Sequence, residues 1–141
     1  YAYEASGRLR RGFPRDLQGL TTMPPAVADL NGDGLREIAI MNRRGFLQIF
    51  NNRGRQVFAK VFSEPVYGNL ALTDADGDGV LEVVFGTLKK KIHALKIDGT
   101  EVSGFPYAVA SLIAQGVAAA DLDGDGAAEL IFGTTDKQLH L

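Results

Sequence analysis

The chain has 141 residues, 45% of them apolar, with 17 Gly, 5 Pro and no Cys. That suits one compact domain and excludes a disulfide framework, a cysteine zinc site and thiol chemistry. No apolar run approaches the ~20 residues that span a bilayer, and a net charge of −2 recommends neither membrane insertion nor a nucleic-acid partner.

The opening Tyr1-Ala2-Tyr3 has no signal-peptide pattern and reads as a trimmed start, which leaves the compartment open. Residues 1–7 and 8–13 align with the third and fourth strands of a unit that recurs later. The first full unit places strands at 26–28, 37–41, 46–51 and 56–62. The second places them at 69–73, 82–86, 91–97 and 101–105, the last ended by Pro106. The third has strands at 117–120 and 129–133 and stops inside a third strand at 138–141. These runs are short, β-branched and aromatic, and no segment patterns as an amphipathic helix. The fold expected is all-β.

An acidic nonapeptide sits between the first and second strands of each unit. The three copies are Asp29-Leu-Asn-Gly-Asp-Gly-Leu-Arg-Glu37, Asp74-Ala-Asp-Gly-Asp-Gly-Val-Leu-Glu82 and Asp121-Leu-Asp-Gly-Asp-Gly-Ala-Ala-Glu129, spaced by 45 and 47 residues. Gly7, Gly54 and Gly99 repeat in step, and Gly12-Phe13-Pro14 recurs as Gly104-Phe105-Pro106. A period of this length marks an array of structural repeats. The loops hold eleven of the 17 acids, so the rest of the chain, with 15 Lys and Arg against 6 acids, is +9. Carboxylates this dense repel unless a cation neutralises them.

The pattern D-x-[DN]-x-D-G-x-x-E can bring five or six oxygens to one point, which suits Ca2+. An EF-hand is excluded. Its twelfth-position carboxylate is replaced here by Ile40, Phe85 and Phe132, and strands rather than helices follow. The ion would neutralise each cluster and pin the turn, and three ions would move the formal charge from −2 to +4.

On these loops and on Phe85-Gly86 and Phe132-Gly133, the sequence resembles the FG-GAP (VCBS-like) repeat family of integrin alpha-subunit β-propellers and secreted bacterial proteins. The resemblance covers essentially the whole chain. It implies four-stranded antiparallel propeller blades, with Ca2+ in the loop between the first and second strands. The ligands it implies are Asp29, Asn31, Asp33, Glu37 and the Leu35 carbonyl; Asp74, Asp76, Asp78, Glu82 and the Val80 carbonyl; Asp121, Asp123, Asp125, Glu129 and the Ala127 carbonyl. The first unit departs from the family, with Ile40-Met41 in place of Phe-Gly and Asn31 carrying one charge less.

The expected organisation is one unit over 1–141, with repeats at 24–62 and 69–107 and a third at 115–141 completed by 1–14. Three blades do not close a ring, since propellers have about 4–8, so a homodimer of six blades with half-blades exchanged or mated across the seams is expected, the alternative being one piece of a longer propeller. Joining Leu141 to Tyr1 would space the marker glycines by 49. A β-trefoil also fits the length but leaves the loops unexplained.

Three functions stand. One is a non-enzymatic, calcium-stabilised module for adhesion or scaffolding, in an extracellular setting that the family implies. The second is a carbohydrate-binding or polysaccharide-cleaving propeller. The third is an ancestral-like or engineered propeller fragment whose property is assembly. A basic rim of Arg43, Arg44, Lys89, Lys90 and Lys91, on the face opposite the loops, suits an acidic protein or polysaccharide. His93 and His140 occupy equivalent third-strand positions, where the first unit has Gln48, and read as structural. No catalytic triad or phosphate-binding glycine loop is present.

Overall fold

A computed structural model describes residues 1–113 and 115–141. Among the described residues the chain forms strands and no helix. The first antiparallel sheet runs in order through β1 (Ala26–Ala28), β2 (Glu37–Met41), β3 (Phe46–Phe50) and β4 (Gln56–Val61). The second runs through β5 (Ala71–Thr73), β6 (Glu82–Thr87), β7 (Lys91–Leu95) and β8 (Tyr107–Ala108). The third has β9 (Val117–Ala120), β10 (Glu129–Gly133) and β11 (Leu139–His140), with β10 central. Registers match across the units: Ile40 pairs with Gln48, Phe85 with His93 and Phe132 with His140. Three such sheets are consistent with propeller blades.

The innermost strands explain the packing order. β1, β5 and β9 read Ala-Val-Ala, Ala-Leu-Thr and Val-Ala-Ala-Ala, and β5 touches both β1 and β9. Small side chains are what fit where three sheets converge. The second sheet is enclosed by the other two. Val83, Phe85 and Leu95 point into one core with Met41, Leu47, Ile49 and Phe62 of the first unit. Val84, Ile92 and Ala94 point into another with Val117 and Phe132 of the third. All six residues of β6 are therefore buried, and its centre, Val83-Val84-Phe85, is a continuous apolar run because both faces need one.

The fourth strand of the second unit corrects the sequence expectation. Residues 101–105 meet the third strand through the Leu95–Glu101 bridge and a Val102 N–H to Ala94 C=O hydrogen bond, and then turn, with the Phe105 N–H on the Val102 carbonyl. The strand proper, β8, follows Pro106. Two additional residues cause this: Phe46 pairs with Val61, whereas its counterpart Lys91 pairs with Ala108. The extra length is taken up around Gly104-Phe105-Pro106.

Residues 1–13 form a hairpin around the Tyr3–Leu9 bridge. Its backbone hydrogen bonds duplicate those of the Lys96–Gly99 turn. Glu4 donates to Arg8 as Lys96 does to Thr100, Gly7 to Glu4 as Gly99 to Lys96, and Arg10 to Ala2 as Val102 to Ala94. This is a third–fourth strand hairpin, and it sits against the first sheet. A Cβ on Gly12 would overlap the Arg53 carbonyl, and one on Gly54 would overlap the Gly12 carbonyl.

The glycine of the Phe-Gly pair has a packing reason. A Cβ on Gly86 would stand 2.6 Å from Ile113 Cγ2, on the crossing segment that leads to the third sheet. Met41 occupies the equivalent position in the first unit and fills the core there, 1% exposed. Gly133, the third copy, faces nothing within 4 Å. Gly86→Ala is therefore expected to cost about 1–3 kcal/mol by overpacking, while Gly133→Ala stays within about 0.5 kcal/mol of wild type. Urea unfolding of the two variants checks this, and equal losses would contradict it.

Candidate metal centre

Each acidic loop is folded by its own carboxylates. In the second, Asp74 Oδ1 accepts the N–H groups of Gly77 (2.7 Å) and Asp78 (3.2 Å), and Oδ2 accepts that of Gly79 (2.8 Å). Asp78 Oδ1 accepts from Val80 at 2.9 Å, and Glu82 Oε2 reaches back to the Ala75 N–H at 2.9 Å. Asp29, Asp33 and Glu37 repeat the scheme with Gly32, Gly34, Leu35 and Leu30. Asp121, Asp125 and Glu129 repeat it with Gly124, Gly126, Ala127 and Leu122. The fourth and sixth loop positions are glycines at positive φ in all three copies, from +73° at Gly32 to +97° at Gly126. Side chains rarely adopt that conformation.

The loops differ in what they gather. Asp74, Asp76 and Asp78 bring carboxylate oxygens within 4.8 Å of one another, as do Asp121, Asp123 and Glu129. Asp29, Asp33 and Glu37 are not gathered in this way, since Asn31 takes the third position and its amide donates to Asp33 at 3.4 Å.

Burial sets the electrostatics. Glu82 is 0% exposed, and its Oε1 has no hydrogen-bond partner although it is buried. Burial pushes the Glu82 and Glu37 carboxyls above their ordinary values, with neighbouring aspartates adding to the rise. An unpaired buried carboxylate oxygen is costly. This oxygen shares one cation's reach with Asp76 and Asp78, and clustered carboxylates are the donor set a hard cation takes. A cation does stand there. Lys96 Nζ lies 2.5 Å from Asp78 Oδ2, 3.1 Å from Asp76 Oδ2 and 3.6 Å from Glu82 Oε1. Its hydrogen bonds hold Asp78 below the ordinary carboxylate value and raise Lys96 above that of a free lysine. The residues present thus fit a bound cation, and in the second loop an ammonium stands in for it. Asn51 occupies the Lys96 position in the first unit.

A second polar cluster lies between the first and second sheets. Glu64 accepts from Thr87 at 2.8 Å and Lys91 at 3.0 Å, and lies 3.5 Å from His93 Nε2. Burial opposes ionisation of Glu64, but these hydrogen bonds outweigh it and hold its carboxyl below the usual value. His93 is 5% exposed, stacks on Phe85 at 5.0 Å and meets Glu101 at 2.7 Å through Nδ1. His140 stacks on Phe132 at 4.9 Å. Both imidazoles are thus packing groups at a blade seam. Of the predicted basic rim, Arg43 lies over the Tyr67 ring at 4.2 Å, Lys91 pairs with Glu64 and Lys90 bonds the Ala110 carbonyl.

Sequence reasoning found the loops but not Lys96. The available signal was a lysine three residues before Gly99, where the first unit has Asn51.

Residues 29–85, from the first acidic loop to the Phe85 strand, match the family model for an FG-GAP-like repeat. That stretch is similar to an FG-GAP-like repeat, as the loops and Phe-Gly pairs suggested. No curated protein matches the chain.

Lys96 provides a direct check of this geometry. Lys96→Met removes the one ammonium facing Asp76, Asp78 and Glu82. In EDTA the melting temperature should fall, whereas Lys89→Met, outside the loops, should leave it unchanged. Equal effects would show that the ammonium does not neutralise the loop.

Proposed function

We propose that the chain is a calcium-stabilised, propeller-type binding module that acts in adhesion or scaffolding outside the cell and has no catalytic role. The observation that carries this reading is the cluster of carboxylate oxygens of Asp74, Asp76 and Asp78, with the buried Glu82 Oε1 hydrogen-bonded to nothing beside them, within a loop design built three times. Calcium, when bound, supplies the positive charge that these carboxylates lack. The chain's own contribution is to hold the turn open with backbone N–H groups and paired glycines, so that the ligand oxygens need little rearrangement. The second and third loops have the stronger donor sets, and the first, with Asn31, the weaker.

A non-enzymatic role is favoured because both histidines are committed to stacking and hydrogen bonding at blade seams. An extracellular setting is favoured by the repeat family and by the millimolar calcium available there. Among the described residues no helix is long and apolar enough to cross a membrane.

A second copy of the chain is the partner this architecture suits. Beside β10 and β11 lies a groove of about 370 Å3, lined by Phe105, Tyr107, Leu130, Phe132 and Leu141. A third–fourth strand hairpin such as residues 1–13 has the hydrogen-bonding scheme to lie there. Gly54 and Gly99 are packed against neighbouring backbone or rings, whereas Gly7 faces nothing within 4 Å. Exchange of these hairpins would give six blades.

Calcium is expected to raise the melting temperature over EDTA, since a ligand that binds only the folded state stabilises it by roughly 2.7 kcal/mol at a hundred times its dissociation constant. Asp76→Ala and Asp123→Ala should each shrink the shift, and Asn31→Ala should shrink it least. Coincident melts with and without calcium would end the calcium reading. Separately, light scattering after size exclusion in calcium should return twice the 15.1 kDa of one chain. A folded monomer would end the dimer.

A further inference from the structure

The acidic loops have a counterpart of opposite sign. Between the hairpin of residues 1–13 and the Asn51–Arg55 turn lies an open cleft of about 740 Å3, lined by Arg10, Arg11, Arg15, Arg53, Gly12 and Asn52. Its one acid, Glu4, is already held by Arg8 at 2.9 and 3.1 Å. Among the described residues, none of the other four guanidiniums has a carboxylate within 4.0 Å.

Comparison between repeats shows that this cleft is a departure and not a consequence of the fold. By the shared hairpin scheme, Arg10 and Arg11 stand where the next unit has Val57 and Phe58. At that next junction the Phe58 ring packs directly against Gly99 and joins the apolar core. At the first junction Gly54 instead faces the Gly12 carbonyl and Arg15 Nε. Arg11 thus stands where Phe58 closes the equivalent junction, and space is left beside it. Four like charges around one concavity repel, and an anion relieves that repulsion. Guanidinium is also the side chain suited to bidentate binding of oxyanions.

We propose that this cleft binds an acidic polysaccharide, a glycan carrying carboxylates or sulfates. The inference rests on the reading of the chain as a binding module and gives that module a ligand class and a site. The cleft contains none of the loop ligands, so the glycan site and the calcium site are separate. The lining decides among polyanions. It holds no aromatic platform on which nucleic-acid bases would stack. It holds no apolar pocket of the kind that anchors a protein partner. It does offer the Asn52 amide for sugar hydroxyls. The shared chemistry of uronates and sulfates is an oxyanion on a hydrated, flexible chain, which an open polar cleft accommodates.

The test uses fluorescein-labelled heparin and polygalacturonate oligosaccharides, titrated by anisotropy in calcium and again in EDTA. Neutral dextran, single-stranded DNA and polyglutamate serve as comparisons. The expected result is binding of one or both acidic glycans, weakened at least tenfold in Arg10→Gln/Arg11→Gln/Arg53→Gln, the loss of about 1.4 kcal/mol or more. The triple variant should melt with wild type, because these side chains are exposed. Arg44→Gln/Lys89→Gln/Lys90→Gln, on the other face, should change affinity less than twofold. The proposal is overturned if neither glycan binds, if both triple variants lose affinity equally, or if DNA or polyglutamate binds as tightly as the glycans. Loss of binding in EDTA alone, with the arginine variant unaffected, would place the ligand on the cation loops instead. Melting shifts with calcium are read in the same samples, so failure of the glycan site and failure of the calcium reading give different results.

Discussion

Eleven carboxylates in three short turns are the constraint on which the rest of this structure depends. Each turn joins the innermost strand of a blade to the strand beside it, so its geometry fixes the register of the whole sheet. The first aspartate of each loop is spent largely on the backbone: Asp29 and Asp74 accept the N–H groups that face inward, and Asp29 is held below the usual carboxylate value, first by Gly34. The last glutamate bonds back to the second loop residue. These bonds organise the turn but leave the remaining oxygens pointing at one another. The same design that closes the turn therefore concentrates negative charge, and the burial of Glu37 and Glu82 raises its cost. Lys96 offsets that cost in one loop, and the corresponding position in the first unit is an uncharged asparagine.

The seams between blades follow a second rule. The phenylalanine of the Phe-Gly pair stacks on the histidine opposite it in two repeats, and in the first both partners change together to Ile40 and Gln48. Gln48 then bonds Gln56 at 2.8 Å, as His93 bonds Glu101. A flat ring needs a flat partner, whereas isoleucine leaves room for an aliphatic amide. The departure from the family pattern at Ile40-Met41 is thus compensated within the same sheet. Met41 fills the volume that Gly86 yields to Ile113.

The parts of the fold that were legible in the sequence were those written in local spacing. The acidic loops, the buried β6 run and the hairpin glycines all repeat at 45 to 47 residues, so each confirmed the others' alignment. The fourth strand of the second unit was misplaced because two extra residues interrupt it; the loop spacing lengthens from 45 to 47 but does not say where between Gly99 and Asp121 the two residues lie. In the candidate site, the carboxylates were legible as a motif. The burial of Glu82 and the approach of Lys96 were not, because both depend on how the third strand lies across the loop. The arginine cleft was less legible still. Its members are scattered over residues 10–53 and meet only when the hairpin is placed on the first sheet.

Charge is in this sense segregated by the repeat itself. A polar crevice beneath the first acidic loop is lined by Asn31, Asp33 and Glu37 on one side and by Asn52, Arg53 and Arg55 on the other. Asn52 and Arg53 also line the arginine cleft. Anionic and cationic surfaces therefore adjoin at the same end of the first sheet, joined by one turn. With the loop acids uncompensated, they compete for the neighbouring guanidiniums through a field screened over roughly 8–10 Å. A cation in the loop would remove that competition and leave the arginines to an external anion. Coupling between the two surfaces then requires no movement of the backbone, only a change in which charges remain to be neutralised.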